Sequence, residues 1–306
     1  MSATVLDPTQ SPSNQVNILD NGGFEIWQRG TSFAGLSTNN VYTADRWETD
    51  MSGGAVMTIS QNSANVDSGS FSLDMNITTV GTASASIKQL IENYLAYAGK
   101  TVTCSVRVKT SLTGFHIELF DGIGGVTAGN NHSGSGNFET LTCTRTISAS
   151  ATSLRIYIGW PSQPPSGTGH SYVDSAILTV GTGTPVFQVL HPEVDLERCQ
   201  RYYQLGNLDH WSPIWRQDAS NQGTNTTVPF RVSMRVAPTV TFTNKFALLR
   251  HLPTTGSGSS VDSTNWTVSA ASISTSEFLD AWARTSDQTT WELVDVSANW
   301  TASADM

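Results

Sequence analysis

The sequence predicts an all-β chain in which a larger β-sandwich, a linker helix and a second, smaller β-sandwich follow one another. Three observations predict it. Charged residues make up 13% of the 306 and apolar residues 38%, a balance that suits many short strands joined by polar turns better than a helical bundle. Apolar residues recur mainly on alternate positions, the period of a strand with one buried face. The 25 Gly and 11 Pro fall largely between those runs, where turns need them.

Residues 1–16 are polar, carry Pro8 and Pro12, and have little to bury; they read as a flexible N-terminal arm. The stretch from Asn17 to Trp47 organises the rest of the chain. Ile18, Phe24 and Ile26 alternate around the break at Asn21-Gly22-Gly23, and Trp27, Phe33, Tyr42 and Trp47 crowd the same span with Arg29, Asp45 and Arg46 among them. A strand, a turn and a second strand plugging one end of a sandwich are expected there. Residues 56–60 and 70–77 form a hairpin-like pair. Ile87, Leu90, Ile91, Tyr94 and Leu95 stand at helical spacing, so a short helix is expected over 86–98, stopped by Gly99. Val102, Cys104, Val106 and Val108 then give the cleanest strand of the chain. Residues 115–120, 141–147, 154–160 and 172–181 are further strands. The Gly-, Asn- and Ser-rich loop 121–137 is long enough to be either mobile or used for binding. About eight short strands with regular turns point to a two-sheet jelly roll over residues 17–183.

Residues 184–206 are a linker and helix. Pro192 suits a first turn, acids precede arginines over 191–204, and Gly206 is a stop. Leu196, Cys199 and Tyr203 form its apolar stripe, which either packs on its own domain or makes an oligomer contact. Residues 207–306 form a C-terminal β domain. Strands are expected at 230–236 and 239–242 around Pro238, and at 265–273 and 290–296, with a flexible Gly/Ser loop at 254–260; residues 278–284 fit a strand or a helix, with strand the preferred reading. No fixed-period repeat is present.

Composition and motifs exclude several functions. The net charge is −9 and the pI about 5.0; with no basic run, the chain lacks the cation density that nucleic-acid binding requires. Cys104, Cys143 and Cys199 show no C-x-x-C spacing, so a zinc site or disulfide framework is not expected, and buried, reduced thiols are. The N-terminus lacks a signal-peptide pattern, and no apolar run is long enough for a membrane span, so no membrane insertion is expected. No nucleophile elbow, zinc helix, P-loop or dinucleotide fingerprint occurs. No catalytic residue is nominated and the chain is read as a non-enzyme.

One resemblance is specific. The run N-I-L-D-N-G-G-F-E-I-W-Q-R-G-T-S-F, followed by Y-T-A-D-R-W, resembles the opening of a family of bacteriophage virion proteins. They are tail-fibre or other surface proteins carrying a jelly roll similar to carbohydrate-binding modules. The likeness returns at Glu197-Arg198-Cys199-Gln200-Arg201-Tyr202-Tyr203 and over residues 230–241. It implies a virion structural protein assembled in host cytoplasm, a tail fibre or adhesin that binds host-surface glycan, with a capsid decoration, head protrusion or tail structural protein acting through protein–protein contacts as the alternative. It implies a homotrimer, and contacts with other virion proteins through the N-terminal arm. Exposed rings stack on sugars, and Trp47, Trp160, Trp211 and Trp215 are nominated for that role. Related jelly rolls often hold a structural calcium ion, for which Glu25 and Asp174 are the matching positions; calcium takes several hard oxygens. No other cofactor is implied.

Overall fold

Alternation along the chain becomes antiparallel pairing in space. The structure, a computed structural model, describes residues 16–213, 222–251, 266–284 and 292–305. The chain divides into two compact units, Met1–Cys199 and Gln200–Asp305.

The first unit is a β-sandwich of jelly-roll type. One sheet has six strands: β1 (Ser32–Leu36), β3 (Val56–Asn62), β4 (Ser72–Thr79), β11 (Gly169–Val180), β6 (Thr101–Thr110) and β9 (Phe138–Thr146), in that spatial order. The other has five: β2 (Glu48–Met51), β5 (Ala85–Leu90), β10 (Arg155–Trp160), β7 (His116–Phe120) and β8 (Thr127–Ala128). Val102, Cys104, Val106 and Val108 bury completely, as their alternation predicts, and share one core with Ile87, Ile117, Ile156 and Ile158 of the other sheet. Each such side chain contributes about 1.5–3 kcal/mol by leaving water. The hairpin-like pair is β3 with β4, joined in antiparallel register from Val56↔Thr79 to Asn62↔Ser72.

The opening stretch differs from expectation. Residues 17–27 form no strand; polar side chains hold them. Asn21 is completely buried with φ +50°. Its amide donates to the carbonyls of Ile26 (2.9 Å) and Asp45 (3.0 Å), and its carbonyl accepts from Ile26 N (3.0 Å). Gln89 brackets Asp20, accepting from its N–H and donating to its carbonyl. Gly22 is required because a Cβ there would lie 2.1 Å from the carbonyl oxygen of Ala176. Asp20 binds both Arg46 (3.2 Å) and Arg198 (2.8 Å). The predicted alternation is real, since Phe24 and Ile26 are buried, but side chains rather than a strand ladder satisfy the backbone.

The helix expected over 86–98 is instead β5 followed by a 3-10 turn, Tyr94–Tyr97. Ile87 lies opposite Ile158 and Thr49 in the sheet. Pairing on both sides outweighs a weak helical spacing, which local propensity alone could not resolve. The expected loop 121–137 contains β8, paired through Glu118↔Ala128.

The helix after the linker, α1, spans Pro192–Gln200 and is shorter than the predicted 191–204. Linker and helix fall with the first unit. Tyr203 is therefore off the helix, in a strand, and cannot share a helical stripe with Leu196 and Cys199. Cys199 is buried and Leu196 half-buried, so Cys199 is already packed within the chain and offers no surface to another subunit.

The second unit pairs β12 (Tyr203–Pro213), β17 (Glu292–Ser303) and β14 (Thr239–His251) in one sheet. The other sheet holds β13 (Gln222–Pro229), β16 (Glu277–Arg284) and β15 (Trp266–Ala271). The expected strand 278–284 lies within β16, β15 covers 266–271 of the expected 265–273, and β17 covers 292–296 of the expected 290–296; residues 265, 290 and 291 lie outside the described residues. Phe230, Phe278 and Trp300 cluster in the core, with ring centroids 5.3–5.8 Å apart. Residues 230–236 are not the predicted strand, because Gln204 takes their backbone groups: it accepts from Arg231 N (2.9 Å) and donates to Val232 O (2.6 Å). Gly206 does not stop the helix; it lies in β12, where a Cβ would meet the Trp300 ring at 2.7 Å. The predicted loop 254–260 and residues 1–15 of the arm lie outside the described residues.

Candidate functional site

The outer face of the five-stranded sheet is unusual for its charge. Outer positions fall in rows across the strands. Glu48, Lys88, Tyr157 and Glu118 are register neighbours on β2, β5, β10 and β7. The adjacent row runs Asp50, Ser86, Gly159 and His116. Glu48, Lys88, Glu118 and His116 are 3–7% exposed, an uncommon state for charged side chains unless they are paired.

Pairing is what the geometry shows. The Lys88 ammonium lies 3.6 Å from Glu48, 3.4 Å from Asp50 and 2.8 Å from the Asn40 side-chain oxygen. His116 Nε2 lies 3.0 Å from Glu118 Oε1, and its Nδ1 lies 2.8 Å from the Gly114 carbonyl. Burial pushes His116 down, but the hydrogen bond and charge of Glu118 and the Gly114 carbonyl outweigh it, so its pKa is raised. Burial pushes Glu118 up, and hydrogen bonds from His116 and Ser162 outweigh that, so its pKa is lowered.

These shifts fix a pH dependence. The His116 contribution is full below its ordinary value of 6.5 and is lost as pH rises through the raised folded value. The Glu118 contribution is full above its ordinary 4.5 and is lost as pH falls through the lowered folded value. His116→Ala is therefore expected to destabilise the fold most near about pH 5.5, by roughly 1–3 kcal/mol, and less at about pH 8. Urea melts of both proteins at the two pH values check it; an equal loss at both would refute the ion pair.

The middle strand β10 differs from its neighbours. Arg155 stands on the outer face between Leu90 and Phe120, half-buried, and makes no hydrogen bond or ion pair with a described residue; its Nε is buried and unpartnered. The Ser153 hydroxyl, just upstream, is also buried and unpartnered. Tyr157 is half-buried beside Gly159, whose φ of +135° and closeness to Ala85 O (2.7 Å from a built Cβ) require glycine. The middle of the sheet thus carries a ring and a guanidinium with unspent hydrogen-bonding capacity. Buried polar atoms without partners are uncommon and call for one.

The residues nominated from sequence fall elsewhere. Trp47 and Trp160 are fully buried, so neither offers a ring face to a sugar. Trp47 packs on Phe24 at 5.1 Å and donates its indole N–H to Asn21 O; Trp160 packs on Phe115 at 4.9 Å and donates to Thr113 O. Large aromatics on inward strand positions are core, not platform. Trp211 lies in β12 with its side chain outside the described residues, as does the whole of Trp215.

Glu25 and Asp174 do not fit a calcium ion. Both clamp the loop between β3 and β4. Glu25 Oε1 accepts from Ser70 N (2.6 Å) and Phe71 N (3.2 Å); Asp174 accepts from Asp67 N (2.8 Å), Ser68 N (3.0 Å) and Ser175 N (2.6 Å). N–H donors occupy Glu25 Oε1 and both Asp174 oxygens, lone pairs a shared cation would need. Among the described residues no group of three His, Cys, Asp or Glu gathers as a metal site. Millimolar calcium is expected to leave the melting temperature within about 1 °C; a rise of several degrees would show a site after all.

No protein-family model matches the sequence, and no curated protein matches it. Solved structures do align. A Stig cyclase, Fisc, from Fischerella sp. TAU is 15% identical over 56% of this chain and 100% of its own, with a TM-score of 0.40. The CBM22-1 xylan-binding domain of Paenibacillus barcinonensis Xyn10C is 11% identical over 56% of this chain and 97% of its own, at 0.38. The enzymatically active domain of bacteriophage CBA120 tailspike protein 4 is 17% identical over 56% of this chain, at 0.39; the alignment spans 22% of that chain. Likenesses of this size add nothing to what the strand order already establishes.

Proposed function

We propose that this is a non-enzymatic phage virion surface protein, a tail fibre or adhesin, that binds host-surface glycan on the outer face of its five-stranded sheet. The observation that carries the reading is Arg155: a half-buried guanidinium on the middle strand, its Nε buried and without a partner among the described residues, next in outer register to Tyr157. A pyranose offers what this strip lacks. Its C–H face stacks on the Tyr157 ring, and its hydroxyls accept from the Arg155 guanidinium. Lys88, Glu118 and His116 are held by one another and by neighbours, so they act as a preorganised floor. No residue is assigned a catalytic role: glycoside cleavage needs two carboxylates facing each other across the sugar, and Glu48 and Glu118 are each committed to a cation here.

The virion role rests on the sequence resemblance. The trimer and the docking of the N-terminal arm on neighbouring virion proteins are part of the same proposal. A second reading, a head or tail structural protein working through protein contacts, is favoured by one feature. Val180, Val186, Val189 and Val194 are 49–60% exposed from the end of β11 through the linker into α1, more apolar surface than a single short segment usually leaves open.

The test is a glycan array of bacterial surface polysaccharides followed by calorimetry on the hits. Saturable binding to at least one polysaccharide supports the adhesin reading. Uniformly blank arrays, with virion cryo-electron microscopy placing the valines against another protein, would replace it with the structural one.

A further inference from the structure

The opposite sheet carries a second groove, separate from the strip around Arg155 and Tyr157. It has a volume of about 410 Å³, is open to solvent, and lies on the outer face of the six-stranded sheet. That is within the roughly 300–1,000 Å³ of small-ligand sites. Ser105 and Arg107 of β6 and Thr140 of β9 line its floor. Asp67 and Ser68, from the loop between β3 and β4, line it with Ser175 and Thr184, and Pro185, Val186 and Phe187 form an apolar side.

Its chemistry is defined by one ion pair with capacity to spare. Arg107 Nε donates to Asp67 Oδ1 at 2.9 Å and Nη1 donates to Thr140 Oγ1 at 3.0 Å. The guanidinium lies over the Phe138 ring, 5.8 Å from its centroid. Nη2, with two N–H groups, has no partner among the described residues. Asp67 Oδ2 accepts from Ser175 Oγ at 3.2 Å and keeps a further lone pair. The hydroxyls of Ser68, Ser105 and Thr184 make no hydrogen bond with a described residue. The loop that presents Asp67 and Ser68 is itself fixed, since Asp174, completely buried, holds both backbone N–H groups.

We propose that this groove binds a neutral pyranose, giving the first unit two sugar sites on opposite faces. Each sugar hydroxyl both donates and accepts. Two vicinal hydroxyls therefore match an arrangement in which Arg107 Nη2 donates and Asp67 accepts side by side. The C–H face of the ring takes the apolar side at Pro185 and Phe187. The charged lining is one cation and one anion, which disfavours phosphates and uronates through Asp67. The floor is a sheet face and not a sheet edge, so an extended peptide finds no backbone ladder to join.

The experiment is a titration of the full chain with neutral disaccharides, followed by backbone NMR. The expected result is saturable shifts at Ser105, Arg107, Thr140 and residues 184–187, with millimolar affinity or better. Arg107→Met is expected to weaken that binding at least tenfold. Ser105→Trp, which fills the groove without touching the ion pair, is expected to abolish it. Melting curves confirm that each variant is folded. Tyr157→Ala is expected to leave these shifts unchanged, so failure of the site on the five-stranded sheet and failure of this one are read separately. No shift at the groove residues up to about 50 mM of any sugar tested, or shifts that both groove variants leave intact, overturns the proposal.

Discussion

Asn21→Ala is expected to lower stability by about 3–5 kcal/mol. The side chain replaces three backbone hydrogen bonds that no strand provides, to Ile26 N, Ile26 O and Asp45 O. Each is worth roughly 1 kcal/mol net, and buried groups left unpaired cost more than that. The residue also sits at φ +50°, where asparagine is tolerated and alanine costs about 1 kcal/mol. The loss propagates, because Asn21 O accepts the Trp47 indole N–H at 3.0 Å and Asn21 N donates to Asp195 of α1 at 3.1 Å. Asn21→Gly separates the two causes: it relieves the backbone and still removes the side chain, so it should recover about 1 kcal/mol and no more. Denaturant melts of the three proteins decide it. A loss under 1 kcal/mol for the alanine variant would mean that water replaces the amide and that this stretch does not clasp the sandwich.

That residue also shows where the sequence was readable and where it was not. The run around Asn21-Gly22-Gly23-Phe24 announced itself by composition, and its apolar positions are core. Its conformation was hidden because it depends on Asp45, Gln89 and Ala176, which arrive from distant parts of the chain. Strand β6 was legible because one face is entirely buried and alternation records that directly. The 86–98 segment was misread because Ile87, Leu90 and Ile91 satisfy a helical period by accident of a strand running into a tight turn. The candidate site was dispersed over four strands, so no local motif could reveal it. A faint signal existed in Ser86-Ile87-Lys88, His116-Ile117-Glu118 and Arg155-Ile156-Tyr157-Ile158. In each, polar or charged positions alternate with isoleucine in strands the pattern already placed inside a sandwich, which is where an exposed charge is least needed for solubility. Counting tryptophans pointed away from it, since buried rings and binding rings look the same in sequence.

The largest functional effect is expected from the middle strand. Tyr157→Ala should weaken glycan binding roughly 10- to 100-fold, the equivalent of about 1.4–2.7 kcal/mol, and Arg155→Met should do nearly as much. The two differ in what they cost the fold. Arg155 has no partner among the described residues, so replacing it with methionine retains its packing and removes an unsatisfied buried Nε; the variant should be as stable as the parent or slightly more so. Stability gained while affinity is lost is the signature of a group kept for a ligand rather than for the scaffold. Tyr157 is flanked by Lys88 and Glu118, and its truncation should cost about 1 kcal/mol of stability through lost packing. Calorimetric titration beside thermal melts reads both quantities on the same samples. If Arg155→Met destabilises the protein by more than 1 kcal/mol and leaves glycan affinity untouched, the guanidinium is structural and the binding face must be sought elsewhere.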